Sequence, residues 1–266
     1  MTGAPVKAVL SGISLATAAV LLAACSGPQP EGPGWTAQPD SPAAPSSGTA
    51  SPGGSAAAPA PPTAAASGEF QAVPTATSWK TYTDPAKTVS FELPADWIAQ
   101  SVAPEEGVLP GGLKVEVKKP DGTFMAALRT GLPPSSADCP GSAGRPYTVL
   151  SSVPFDLAAD GGEGTIPPRM VYRVIQGYRF FGSYGITNLV GGTDGTACGL
   201  RNVVRGPAGK GDFSFGDVVV LKAFAPDEKV APAKAFDTLD QAAQYVNGSP
   251  DFANVQRMLM SLKVKN

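Results

Sequence analysis

Fifty consecutive residues, Ser26 to Thr75, carry too little apolar surface to fold, which confines any packed structure to the residues that follow. Forty-one of the fifty are Ala, Gly, Pro, Ser or Thr, and only Glu31, Asp40 and Glu69 are charged. Fixing one residue's backbone costs roughly 1–2 kcal/mol, and small side chains cannot offset that. Eleven prolines in the segment remove helix donors and stiffen the chain locally. The segment is expected to be a tether, reaching roughly 40 Å root-mean-square as a coil and about 150 Å as polyproline II. The chain thus divides into a leader at 1–24, a tether at 25–75 and one globular domain at 76–266.

The leader explains why a tether is there. Lys7 precedes sixteen uncharged residues, Val9 to Ala24, interrupted by Ser11, Ser14 and Thr17. A spanning helix needs roughly 20 apolar residues, so the run is short for one. A positive start, an apolar centre and small residues at a cut are the layout of an export signal. Leu22-Ala23-Ala24-Cys25 resembles the lipobox of bacterial lipoproteins. That resemblance implies a diacylglycerol on the Cys25 thiol, cleavage in front of it, and a lipid anchor on the extracytoplasmic face of the cell membrane. Two acyl chains hold firmly where one is marginal, since each buried CH₂ is worth about 0.8 kcal/mol. A plain signal peptide and a membrane anchor are the competing readings, and Leu at −3 with Ala at −2 and −1 favours the lipobox over them.

About 190 residues remain, enough for one domain with its own core. Setting aside Lys7 and the three tether acids leaves 19 basic and 19 acidic residues. That balance gives no electrostatic case for a nucleic-acid partner. With Cys25 committed to lipid, Cys139 and Cys198 are the remaining cysteines, and an exported pair is expected to form a disulfide. Closing a loop of about 60 residues is worth roughly 4 kcal/mol in the chain-entropy picture. A redox or nucleophilic cysteine is the alternative, but there is neither a CxxC spacing nor a histidine to support it.

Periodicity predicts strands. Trp79 to Thr83 leads into a turn at Asp84-Pro85, and Val89 to Leu93 alternates apolar with polar before Pro94 ends it. Leu113, Val115 and Val117 alternate with Lys114, Glu116 and Lys118. Pro120-Asp121-Gly122 then turns the chain into a partner strand, Thr123 to Arg129. Further strands are predicted at Tyr147–Val153, Arg169–Gly177, Arg179–Val190, Leu200–Val204 and Val218–Phe224, with short connections that imply antiparallel pairing. Toward the C-terminus the period changes to that of a helix. Thr238 with Gln241 reads as a capping box ahead of Leu239, Ala242, Ala243 and Val246, and Asn247-Gly248 stops that helix. Ser249 and Pro250 start a second helix with a stripe of Phe252, Val255, Leu259 and Leu262, leaving Asn254, Gln256, Arg257 and Ser261 facing out. The fold class is α+β, an antiparallel β-sheet with packed helices.

Tyr82-Thr83-Asp84-Pro85, Ser90-Phe91, Pro94 and Trp97, with the closing helix that ends at Ser261-Leu262-Lys263, resemble PsbP-like domains. The resemblance implies an α/β/α sandwich, with an antiparallel sheet between helices. It implies no catalytic residues, because such domains bind partners or stabilise assemblies. A shared fold does not carry function across.

No catalytic set emerges from the residues themselves. The chain has no histidine, which excludes Ser-His-Asp and Cys-His catalysis and most catalytic zinc sites. There is no G-x-S-x-G elbow, no S-x-x-K and no Walker loop. Gly206-Pro207-Ala208-Gly209-Lys210-Gly211 superficially resembles a phosphate cradle but lacks the Lys-Ser/Thr ending, and reads as a surface loop. Glu105-Glu106, Asp160 with Glu163, and Asp194 are carboxylates of the right type for acid–base work, with solvated loop charge as the simpler reading.

Tyr172 to Tyr184 is where binding residues are expected. Tyr172, Arg173, Tyr178, Arg179 and Tyr184 are the side-chain types that anchor interfaces and sugar or acidic ligands, although alternate residues of a strand must enter the core. The resulting expectation is a lipid-anchored, non-catalytic binding or scaffolding domain with an envelope protein or glycan partner and no cofactor or metal. A solute- or wall-glycan-binding lipoprotein, marked by a cleft rimmed with Arg and Tyr, is the first alternative. A hydrolase with a carboxylate pair is the second.

Overall fold

The computed structural model describes residues 75–134, 144–192 and 194–265. The leader, the tether up to Pro74, Cys25 and Cys139 lie outside the described residues. The first strands are β1 (Trp79–Thr83), β2 (Val89–Pro94), β3 (Ile98–Val102), β4 (Lys114–Lys118) and β5 (Phe124–Leu132). Next come β6 (Arg145–Pro154), β7 (Thr165–Gln176), β8 (Phe180–Leu189), β9 (Thr196–Ala197) and β10 (Leu200–Arg201). The chain closes with β11 (Asp212–Gly216), β12 (Val220–Leu221), β13 (Lys234–Phe236), helices α1 (Leu239–Gly248) and α2 (Pro250–Met260), and β14 (Lys263–Val264).

The β4–β5 hairpin forms as its alternation predicts. Val115 and Val117 are fully buried while Lys114, Glu116 and Lys118 stay at the surface. Its turn is closed by Lys119 N–H to Thr123 O and Gly122 N–H to Lys119 O, each 2.9 Å. Gly122 sits at φ 84°, a conformation that favours glycine. At the opposite end of the domain, Asp84 organises the β1–β2 turn. Its carboxylate accepts from Ala86 N at 2.9 Å, and from Thr88 N and Val89 N at 2.6 Å.

Nine strands make the main sheet, in the order β3-β4-β5-β11-β8-β7-β6-β9, with β13 also paired to β8. A separate three-stranded sheet runs β1-β2-β14. Every pairing among the described strands is antiparallel, as the short connections imply. One face of the main sheet carries Val115, Leu128, Met170, Tyr172, Tyr184, Ile186 and Phe215. Phe91 of β2, Ala242 of α1, and Phe252, Val255 and Leu259 of α2 cover it. Fully burying a side chain of this size is worth about 1.5–3 kcal/mol, so this layer is the main source of stability.

The helices start and stop where their sequence dictates. Thr238 Oγ1 accepts from Gln241 N at 3.2 Å, and Ser249 Oγ accepts from Phe252 N at 3.2 Å. Ser249 also ends α1, its N–H donating to Tyr245 O at 3.0 Å, so one residue separates two helices. Both helices pack on the same face of the sheet. Ile175, Phe181, Leu200 and Leu221 form a second, smaller core on the other face, under connecting segments rather than a helix. Among the described residues the arrangement is therefore helices on one side, and the α/β/α sandwich is corrected to that extent. Asn254 is a second correction: it is buried, and its Oδ1 accepts from Ala76 N at 2.8 Å to pin the start of the domain to α2.

Two predicted strands shrink and one central strand was unforeseen. Of Val218–Phe224 only β12 pairs, and Leu200–Val204 reduces to β10 plus a bridge from Val204 to Phe213. β11 runs through the middle of the sheet with all five residues buried. Its Asp-Phe-Ser-Phe-Gly sequence follows a glycine-rich loop and has no β-branched residue, so only its two phenylalanines favour a strand, against Asp and Gly that disfavour one.

Candidate functional site

The β7–β8 hairpin divides the predicted binding residues between core and surface. Tyr172 pairs with Tyr184 and Arg173 with Ser183, so the strand alternation sends the two tyrosines to the helix-covered face and Arg173 to the other. Tyr172 is fully buried, with ring centroids 5.3 Å from Phe252 and 5.7 Å from Tyr245. Tyr184 Oη donates to Met125 O, tying β8 to β5 across the interior. Burial pushes both phenols up from their ordinary pKa. These are packing residues, and the expectation of one continuous interaction surface from Tyr172 to Tyr184 is corrected.

Arg173 is equally enclosed. Its Nη2 donates to Arg201 O at 2.6 Å and to Asn202 Oδ1 at 2.9 Å. Burial lowers its pKa to about 10. Asn202 Nδ2 in turn donates to Ser183 Oγ at 2.8 Å and Val218 O at 2.9 Å, and Ser183 Oγ donates to the Asp217 carboxyl. Gly185 is obligatory beside this network, because a Cβ there would lie 2.5 Å from Asn202 Cβ. The cluster welds the segments after β9 and β11 to β8. It is a structural polar core, in which Arg173 Nε and Asp217 Oδ2 are the buried atoms left without a hydrogen-bond partner among the described residues.

The hairpin tip is different. Tyr178 is 52% exposed and stacks edge-on against Phe181 at 5.4 Å, which in turn meets Phe224 at 5.1 Å. Gly177 allows this approach, since a Cβ there would sit 2.9 Å from Phe181 Cε2 and 3.2 Å from Ala223 Cβ. Between the tip and the segment after β12 lies an open pocket of about 420 Å³, walled by Tyr178, Phe224, Pro226 and Arg145. Glu228 fixes that segment by accepting from Lys222 Nζ at 2.6 Å and from Ala225 N at 2.7 Å. Lys222 Nζ also stands 5.7 Å over the Phe224 ring. Arg179 points elsewhere, into an ion pair with Asp237 at 2.8 Å.

Of the five predicted binding residues, the structure brings only Tyr178 to this pocket. Arg145, Phe224 and Pro226 were missed, because Ala223-Phe224-Ala225-Pro226 reads as a strand end and Arg145 as an isolated charge. Their convergence depends on pairing between distant segments. The predicted carboxylates do not gather at the pocket. Glu105 is held between Lys114 Nζ at 2.8 Å and Arg129 Nε at 2.9 Å, and Asp160, Glu163 and Asp194 are exposed. Among the described residues no group of three or more His, Cys, Asp or Glu could hold a metal ion. Cys198 is half-buried between β9 and β10, while Cys25 and Cys139 lie outside the described residues.

No protein-family model matches the chain, and no curated protein matches it. The solution structure of cyanobacterial PsbP (CyanoP) from Synechocystis sp. PCC 6803 is a weak structural neighbour: 13% identical, covering 71% of this chain and 93% of that chain, with a TM-score of 0.25.

Proposed function

We propose that the chain is a lipid-anchored binding protein of the extracytoplasmic membrane face, whose domain holds a ligand without transforming it. The observation that carries this reading is the exposed Tyr178, facing Phe224 and Arg145 across an open pocket while the neighbouring aromatic side chains are packed inside. A pocket of about 420 Å³ lies within the size range of small-ligand sites, about 300–1,000 Å³. Aromatic walls with one guanidinium suit a solute or wall-glycan unit, whose C–H faces pack on the rings while its hydroxyl or carboxylate oxygens accept from arginine. This favours the glycan or solute reading over a flat protein-binding face. The described pocket walls contain no carboxylate, so they offer no acid–base pair for the hydrolase reading. The membrane partner, through lipid on Cys25, and the Cys139–Cys198 disulfide belong to the same proposal, supported by the Leu-Ala-Ala-Cys sequence, the tether and the cysteine pair.

Two experiments test its halves. Cys25→Ser in the full-length chain should release the protein from membranes or stall its processing; a variant that matures and stays bound normally overturns the anchor. Calorimetric titration of the full-length chain with soluble wall-glycan fragments should show binding that is lost in Tyr178→Ala with Arg145→Ala. Heat signals identical in the parent and the double variant would remove the pocket from the account.

A further inference from the structure

A second pocket lies where the β1–β2 turn, the β3–β4 connection, the β10–β11 loop and the C-terminal segment come together beside β5, remote in sequence from the Tyr178 tip. It has a volume of about 190 Å³, and its walls include Thr88, Gly111, Gly131, Gly209, Lys210 and Lys265. The loop that resembles a phosphate cradle in sequence, Gly206 to Gly211, thus supplies two of these residues. It does so without a following helix: β11 begins directly after it.

Glycines at 111, 112, 131 and 209 line the pocket beside Val89, Leu109, Phe213 and Val264. Gly111, Gly131 and Gly209 have φ of 84°, 70° and 79°. Left-handed glycines on three separate segments bring main chain rather than side chains up to the recess. Side chains are excluded by packing as well: a Cβ on Gly112 would lie 2.7 Å from Thr130 O, and one on Gly131 would lie 3.1 Å from the Gly112 Cα. Leu109 N–H to Gly131 O and Lys265 N–H to Thr88 O, both 2.8 Å, lock the contributing segments together.

Its charge is one-sided. Lys210 and Lys265 arrive from different segments, and neither forms an ion pair with a described residue. None of the described walls is acidic. The carboxylate of Asp84, four residues before Thr88, is already occupied by donors from Ala86, Thr88 and Val89. Two lysines from different segments lining one recess that holds no carboxylate are suited to a phosphate group, for which lysine acts as a point charge.

We propose that this recess binds a phosphate group, with Lys210 and Lys265 as its cationic contacts and the Gly111, Gly131 and Gly209 backbone as its walls. The phosphate belongs to a small phosphorylated solute or to a phospholipid headgroup, two sources with one recognition chemistry.

Inorganic phosphate titrated into the full-length chain, followed by amide NMR at constant ionic strength, tests it. Saturable shifts should be confined to the Gly111, Gly131 and Gly209 region, and Lys210→Ala with Lys265→Ala should weaken binding at least tenfold while leaving the melting temperature unchanged. Lys263→Ala, which alters a lysine outside the pocket, should have no effect. Vesicles of phosphatidylglycerol separate the sources: a headgroup site predicts vesicle binding that phosphate competes away and the double variant loses, whereas a solute site predicts phosphate binding alone. Shifts that do not saturate, that chloride reproduces, or that keep the parent's affinity in the double variant overturn the proposal. If the double variant unfolds, Lys210→Gln and Lys265→Gln taken singly must each weaken phosphate binding, and unchanged affinity in both overturns it equally.

Discussion

Ser183 donates a hydrogen bond to Asp217 inside the protein, at the point where β8 meets the end of β11. Asp217 is 2% exposed, and its Oδ2 has no partner among the described residues. Burial raises its pKa to about 7, despite the lowering effect of hydrogen bonds with the Ser183 hydroxyl and the Val218 and Tyr184 backbone. An unfolded carboxyl titrates near 4, so between the two values the folded state binds the extra proton. Stability should therefore fall as pH rises from about 4 to about 7, by up to roughly 4 kcal/mol from this group, and level off above. Asp217→Asn should flatten that limb in urea denaturation run across the same pH range. An unchanged slope would show that Asp217 is ionised in the folded protein.

The acid limb runs the other way. Burial alone would raise the Glu105 pKa, but hydrogen bonds from Lys114 and Arg129 bring it down to about 2. A lowered carboxylate adds stability above its unfolded pKa and loses it as pH falls through the folded value. Glu105→Gln should thus reduce stability at pH 6 and converge on the parent at pH 2. Its carboxylate is 42% exposed, so solvent screening keeps the effect to about 1 kcal/mol or less. Melting temperatures at the two pH values check the convergence.

Tyr172 and Tyr184 look alike in sequence and differ in what their hydroxyls do. Tyr184 Oη reaches Met125 O, whereas the buried Tyr172 Oη has no hydrogen-bond partner among the described residues. Removing a made bond leaves the Met125 carbonyl unsatisfied, at about 1–3 kcal/mol, while removing an unmade one relieves a desolvated hydroxyl. Tyr184→Phe should therefore destabilise the domain and Tyr172→Phe should be neutral or stabilising, as read by urea midpoints. Neither variant should change binding at the Tyr178 pocket.

The difference between these residues also shows what the sequence could and could not disclose. Alternation and turn residues located the β4–β5 hairpin and the β7–β8 strands, and capping residues located both helix starts, because those signals lie within a few residues of one another. It could not say that Tyr172 is enclosed and Tyr178 exposed. That depends on α2 being folded back over one face of β7, and on the hairpin tip projecting past it. β11 stayed hidden for a related reason: Ser214 and Asp212 are buried polar residues whose tolerance is set by neighbours far along the chain. Arg145 and Phe224 line one pocket only because the tertiary fold brings β6 and the segment after β12 together.

Gly216 tests that alignment directly. β11 joins β8 by pairing with Gly185, where a Cβ on Gly216 would lie 2.4 Å from Tyr184 O and 2.8 Å from Gly185 Cα. Both obstacles are backbone, so a side chain can be admitted only by separating the two strands. Gly216→Ala should cost about 1–3 kcal/mol, the usual range for overpacking a filled interior. The loss should appear locally too, as faster hydrogen exchange at Asp217, whose N–H donates to Tyr184 O at 3.2 Å. Gly161→Ala, at a loop position with open space around it, provides the control and should leave stability within about 0.5 kcal/mol of the parent. Equal behaviour of the two variants would mean that β11 and β8 are not held at this separation.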